Sequence, residues 1–245
     1  MSGQPIPGNF YLLHDKEEDI RQESIGLIES DDELTLHLFV IMHAMNMCDM
    51  LRKFPTEDED IKAVQILSIR IFNAFGSSIK LALSGYIQNS ALIMRDILET
   101  VFLLDLFRVD PTAIERWRFA KTAKAKNEFR PVNVRKILDD HYKHKGEKRR
   151  EHYKRFSELA GHPTNKSVFM LRPKLNGNAV IGPFCEVTTL GAVLAEAGRL
   201  AVMAGETQDS FFPETWREGL GVRAAFSRQK KKWRDTFFPT QSAIT

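Results

Sequence analysis

Arg155 and His162 close a basic stretch, Tyr153-Lys154-Arg155-Phe156-Ser157-Glu158-Leu159-Ala160-Gly161-His162-Pro163-Thr164. Seven positions are nearly two helical turns, so this spacing lets the two side chains face the same way. An imidazole beside a guanidinium is a catalytic pair that cleaves RNA without a metal. Histidine moves a proton at the 2′-hydroxyl, and arginine stabilises the charge that gathers on the phosphorane. Pro163 works against this geometry, because the residue before a proline is pushed away from helical backbone. In the alternative reading His162 caps the helix and bonds to Glu99, tying two helices together.

A second polar pair lies in the segment from Ala91 to Phe107, where Arg95 and Glu99 are four residues apart. That segment is apolar almost all round, which predicts a central, buried helix. Side chains at i and i+4 share a face. Two charges there must pair or line a cleft, because an uncompensated buried charge is destabilising by several kcal/mol. The expected polar site is therefore Arg155 and His162, supported by Arg95, Glu99, Tyr153 and Ser157. Residues 153–164 are expected to dock on the Arg95–Glu99 helix.

The order of these residues carries a resemblance. Arg95-x-x-x-Glu99 on one helix, followed by Tyr153, Ser157, Leu159 and His162 at the end of another, resembles an uncharacterised bacterial all-helical domain family. In that family an arginine–glutamate helix precedes a Ser…His helix end, and the likeness covers residues 65–205, roughly. In outline it is also similar to the HEPN group, helical bundles that often dimerise. Many HEPN proteins are metal-independent ribonucleases of toxin–antitoxin and phage-defence systems, with four to six residues between an arginine and a following histidine. Arg155 and His162 fit that motif with six intervening residues, and Arg135 and His141 with five. The resemblance implies a helical binding or regulatory module of bacterial stress or phage defence, able to form a homodimer. Its alternative is a HEPN-like ribonuclease using Arg155 and His162, with Arg95 and Glu99 behind them.

Charge is unevenly placed. Residues 1–60 hold fourteen acidic and four basic side chains, a balance of −10, and the remainder carries 31 basic and 18 acidic, a balance of +13. Such asymmetry suits RNA or another anionic partner for the later part of the chain, although a solvated helix face has the same composition. The candidate contacts are Lys148, Arg149 and Arg150 near Tyr142 and Tyr153, and Lys230, Lys231 and Lys232 beside Trp233. Cations would meet phosphates, and the aromatic rings would stack on bases.

Other chemistries find no support. The chain lacks a phosphate-binding GxxxxGK[ST] loop, a GxGxxG turn, HExxH and GxSxG. It holds only Cys48 and Cys185, with no CxxC pair, which fits a reducing cytoplasm. His141 and His144 have a metal-like spacing, but seven Lys and Arg between positions 143 and 155 would repel a cation. Neither metal nor cofactor is expected. The N-terminus lacks signal-peptide character. No uncharged apolar run reaches the roughly 18 residues of a membrane span. A cytoplasmic protein with no membrane contact is expected.

These residues need a scaffold, and the patterning predicts an all-α multi-helix bundle. Residues 1–30 read as a loose arm and an acidic helix, 31–210 as the bundle core, and 211–245 as a basic C-terminal helix. A capping box at Thr56 and Glu59 is expected to start a long helix that kinks near Gly76. One helix is expected over 112–126, and a break at Gly146 precedes the helix that ends near Ala160. Between 168 and 182 a short β-hairpin is expected, with Phe169–Leu171 and Ala179–Ile181 joined by the Asn176-Gly177-Asn178 turn.

Overall fold

Acidic caps set the helix starts. In the computed structural model, which describes residues 5–144, 148–173 and 177–239, the Asp31 carboxylate accepts from the backbone N–H groups of Glu33 and Leu34, at 2.8 and 3.0 Å, and opens α2, Asp32–Leu51. Asp58 does the same for α3, Glu59–Leu83. The Thr56–Glu59 box is therefore corrected: Thr56 receives only the Asp58 N–H, two residues ahead of the cap. A side-chain oxygen at such a position satisfies donors that the helix itself leaves without partners. The helix α1, Gly8–Glu29, precedes them. The helix α3 runs without interruption through Gly76, the position of the expected kink.

The central helix α4 spans Ile87–Val109, and Ile97, Leu98, Leu104 and Phe107 in it are fully buried. It packs on α3 along one side and on α9, Val187–Asp209, along another. The turn into α4 needs Gly85, whose φ is +83° and whose missing Cβ would stand 2.6 Å from the backbone of Phe184. That close approach brings the chain entering α9 against the start of α4. The expected helix over 112–126 divides in two, α5 at Thr112–Arg118 and α6 at Ala123–Glu128, with Thr122 capping the second. Next comes α7, Pro131–His141, then α8, Lys148–Phe156, and after α9 the last helix, α10, Leu220–Phe237.

Three glycines spaced by seven on α9, Gly191, Gly198 and Gly205, let its neighbours approach closely. A Cβ at Gly205 would overlap the Phe226 ring of α10 at 2.1 Å, and one at Gly198 would crowd both Trp233 and His37. In the space so created, Trp233 of α10 donates its indole N–H to His37 Nδ1 of α2 at 2.8 Å. The inner ends of α2, α9 and α10 are held by this contact.

Two further expectations change. The segment 168–182 forms no hairpin, and no strand occurs among the described residues. Residues Asn165–Leu171 instead form a 3-10 helix opened by Thr164, whose hydroxyl accepts from the Lys166 N–H. Phe169, Leu171 and Ile181 are exposed, at 48%, 38% and 105%, so a hairpin would have no face to bury. One bond, Val180 N–H to the Leu171 carbonyl, joins the two stretches. Residues 1–4 of the arm, Gly146, Asn176 and residues 240–245 lie outside the described residues. By length and composition, α2, α3 and α9 could each cross a membrane, although no uninterrupted uncharged run marks them. In this structure the buried apolar residues of the three helices belong to one core shared with α4, while α3 keeps Ile66, Ile69 and Phe72 exposed.

Burial holds His37 neutral, pushing its pKa from 6.5 to about 4, with the nearby Arg199 charge adding to the effect and Asp31 opposing it. Protonation at Nδ1 would also meet the Trp233 N–H head-on. The folded pKa is the lower one, so this stability is fully present above pH 6.5 and declines as pH falls toward 4. Between pH 6.5 and 5 the protein is expected to lose on the order of 1 kcal/mol of stability, allowing for solvent screening. Replacing His37 by Gln should flatten that part of the profile in urea titrations. An unchanged slope in the variant would show that His37 is not the group responsible.

Candidate functional site

Nine residues of α8 organise the polar interior. Arg149, His152, Tyr153 and Phe156 fall at i, i+3, i+4 and i+7, one face of a helix. Phe156 is buried in the core. Arg149 and Tyr153 both reach α4 and α7, and His152 reaches α9, so the helix is tied down on two sides.

Arg149 reaches α7 and α4. It donates to Asp139 at 2.6 Å, lies 3.8 Å from Asp105, and stacks over the Tyr142 ring. Asp105 also accepts from Arg108 and, at 3.0 Å, from the Tyr142 hydroxyl. Tyr153 reaches between two arginines. Its hydroxyl accepts from Arg95, and the guanidinium groups of Arg135 and Arg95 lie 4.0 and 4.8 Å from its ring centre. Arg95 in turn donates to Glu99 at 3.1 Å. Arg135 is 8% exposed, and its Nη1 has no hydrogen-bond partner among the described residues. Burial pulls the Arg135 pKa below its ordinary value, against the favourable pull of Tyr153. The electron-rich ring face thus takes the place of a second carboxylate.

After Phe156 the helix widens into a π turn, Ser157–Gly161. Buried Ser157 donates its hydroxyl to the Tyr153 carbonyl at 3.0 Å, and its own carbonyl accepts from the His162 N–H at 2.9 Å. The turn settles directly on Arg95: a Cβ at Gly161 would stand 2.8 Å from Arg95 Nη1. Arg95, Glu99, Tyr153 and Ser157 therefore meet at one junction of α4, α8 and the π turn.

Arg155 and His162 are not joined by any contact. Arg155 is 63% exposed and turns toward α9, 4.0 Å from Glu196. His162 is extended, with φ −133° and ψ 148°, as Pro163 demands. Its exposed ring makes no hydrogen bond with a described residue, so the expected tie to Glu99 is absent. Thr164 helps close the helix end instead, donating to the Glu158 carbonyl at 2.6 Å. The other spaced pair is also split, since Arg135 is buried and His141 stands edge-on to Tyr142 at the surface.

Of the histidines on or beside α8, it is His152 that bonds to a carboxylate. Its Nε2 bonds to Glu196 of α9, whose other oxygen accepts from Arg199 at 2.6 Å. Burial pushes the Glu196 carboxyl up, but His152 and Arg199 outweigh it and hold the pKa below its ordinary value. An Nε2–H donated to this carboxylate leaves Nδ1 free to accept a proton, the arrangement of an oriented base. This cluster was accessible in principle: Glu196 and Arg199 are charged residues three apart within a mainly apolar stretch of α9, a signal like the one that singled out Arg95 and Glu99.

Of the basic residues, Arg149 and Lys230 line one cleft of about 460 Å³ between α4, α9 and α10. Lys230 pairs there with Glu206, Arg223 with Asp209, and Arg108 with Asp105. Lys148 and Arg150 are exposed on α8. Lys231 pairs with Asp235, while exposed Lys232 makes no side-chain bond among the described residues. No family model matches the chain, and neither a curated protein nor a solved structure does.

Replacing Tyr153 by Phe keeps the ring and removes the acceptor for Arg95. The expected loss is about 1–2 kcal/mol of unfolding free energy, read as a lower urea midpoint at unchanged slope. A midpoint equal to that of the native protein would mean that the hydroxyl is not needed to hold the junction.

Proposed function

We propose that this chain is a helical binding or regulatory module of the bacterial cytoplasm, serving stress or phage defence, that takes an anionic partner, with RNA the leading case. One observation carries the reading: two basic segments eighty residues apart converge, through Arg149 and Lys230, on a single cleft that also holds Arg108 and Arg223. Four cations face three carboxylates there, and exposed Lys148, Arg150, Lys231 and Lys232 extend the positive surface along α8 and α10. Arginine keeps donors available even when one edge is paired. Half or more of the most apolar stretch of α2 and of α9 is buried within the bundle, which supports a protein in solution with no membrane contact. A homodimer is favoured by the groove between α3 and α4, where exposed Ile66, Ile69 and Leu92 flank the Arg70–Asp96 pair. A face carrying both signs and apolar area suits pairing with its own copy.

A HEPN-like metal-independent ribonuclease is the second reading. It is favoured by the way Arg155 and His152 gather at Glu196, which puts an oriented imidazole beside an exposed guanidinium. In that form of the reading His152 replaces His162 as the base.

Fluorescence anisotropy with a labelled 20-nucleotide RNA in chelator, read alongside gel analysis of the same samples, separates the two. Binding should weaken about tenfold at low salt when Lys148 and Lys232 are both changed to Glu. Reversing each charge should remove roughly 0.7 from the log–log salt slope, the value for one single-strand phosphate contact. An unchanged affinity and slope would refute the anionic-partner reading. Intact RNA is expected throughout, whereas cleavage lost in His152→Ala and Arg155→Ala would establish the ribonuclease.

A further inference from the structure

We infer that a second site, distinct from the basic cleft, takes a small organic anion with an apolar body. A pocket of about 350 Å³ lies where α4, the π turn, the 3-10 helix and α9 converge. Its walls are apolar: Ala91 and Met94 from α4, Leu159 from the π turn, Met170 from the 3-10 helix and Val193 from α9. Ligand pockets begin at about this size, and the volume holds about ten non-hydrogen atoms at roughly 30 Å³ apiece. Two methionines give it walls that adapt to shape.

Charge is confined to one rim, where Arg155, Arg199 and Glu196 stand. Glu196 does not repel an anion from this rim with its full charge. One oxygen is bonded to His152 and the other to Arg199, at 2.6 Å. Arg155 is the cation with capacity to spare, because it only approaches Glu196, at 4.0 Å, and is 63% exposed. An apolar body in the pocket and a carboxylate, sulfonate or phosphate head on Arg155 would satisfy both halves of the surface. A neutral apolar ligand would leave the guanidinium unused, and a bare anion would leave the pocket unfilled.

The π turn supports a ligand site independently. It holds more residues per turn than an α-helix, and such turns are frequent at functional sites. Here the widening places Leu159 in the pocket wall while Gly161 rests on Arg95, so a molecule pressing on Leu159 acts on the same five residues that cover the Arg95–Tyr153 junction. The site is thereby placed to report its occupancy to α8, whose other face carries Arg149 into the basic cleft.

Isothermal titration with decanoate, decanol and inorganic phosphate tests the assignment on the full chain. Decanoate should bind one to one, at least tenfold more tightly than decanol, with no heat from phosphate. Arg155→Glu, at an exposed position, should remove the tenfold preference for decanoate. Ala192→Phe, a substitution at the exposed side of the pocket, should abolish binding of both organic probes with an unchanged helical circular dichroism spectrum. Lys148→Glu with Lys232→Glu, which weakens the RNA contact, should leave decanoate binding as it was, so failure of either site is read without the other. No decanoate binding at millimolar concentration, or binding that survives both pocket variants, would overturn the inference.

Discussion

The stacking of Tyr153 between Arg95 and Arg135 is the interaction on which the polar half of this bundle depends. Two guanidinium groups are brought into a partly dry junction where Glu99 is hydrogen-bonded to Arg95 and no carboxylate is hydrogen-bonded to Arg135 among the described residues. Without the tyrosine, Arg135 would hold a buried positive charge with only the more distant attraction of Glu99 and Asp139 against its burial, a destabilising arrangement. The phenol meets both needs: its oxygen accepts from one arginine and its ring face attracts the other. Because Tyr153 sits on α8, that short and very basic helix is drawn onto α4 and α7 although it has little apolar surface of its own.

Once α8 is placed by Tyr153 and Phe156, its remaining residues have no freedom to choose partners. Arg149 falls one turn earlier and meets Asp139 and Asp105. His152 falls beside Tyr153 on the edge turned to α9, where it meets Glu196. Arg155 follows on the same edge, over the mouth of the apolar pocket. A single nine-residue helix therefore forms part of the basic cleft, the His152–Glu196 pair and the rim of the pocket. The π turn that follows adds a wall to the pocket and a cover to the junction, so a change at any of these places is felt by the others through a few ångströms of packed side chain.

The helical scaffold was legible because its signals are local. Asp and Ser ahead of apolar repeats, the all-round apolar segment of α4 and the small residues of α9 each have one straightforward physical meaning. The pairing of Arg95 with Glu99 was legible for the same reason, since i and i+4 need no tertiary knowledge. The expected capping box failed by two residues because Asp58, not Thr56, accepts from the first N–H groups of α3. The expected hairpin failed because strand-like residues need a face to bury, and Phe169 and Ile181 have none. Arg155 and His162 share a spacing but not a direction: a π turn and Pro163 stand between them, and helical arithmetic does not survive either. The partnership of His152 with Glu196 joins residues 44 apart in the chain, and only the packing of α8 against α9 brings them together.

If α8 is held chiefly by Tyr153 and Arg149, hydrogen exchange read by mass spectrometry should show residues 148–161 protected together with α4 in the native protein. In the Tyr153→Ala, Arg149→Ala double variant those residues should exchange at least a hundredfold faster, the rate change that loss of roughly 3 kcal/mol of local stability produces, while α2, α3 and α9 keep their protection. Fast exchange over 148–161 in the native chain, or loss of protection across the whole bundle in the variant, would contradict the account.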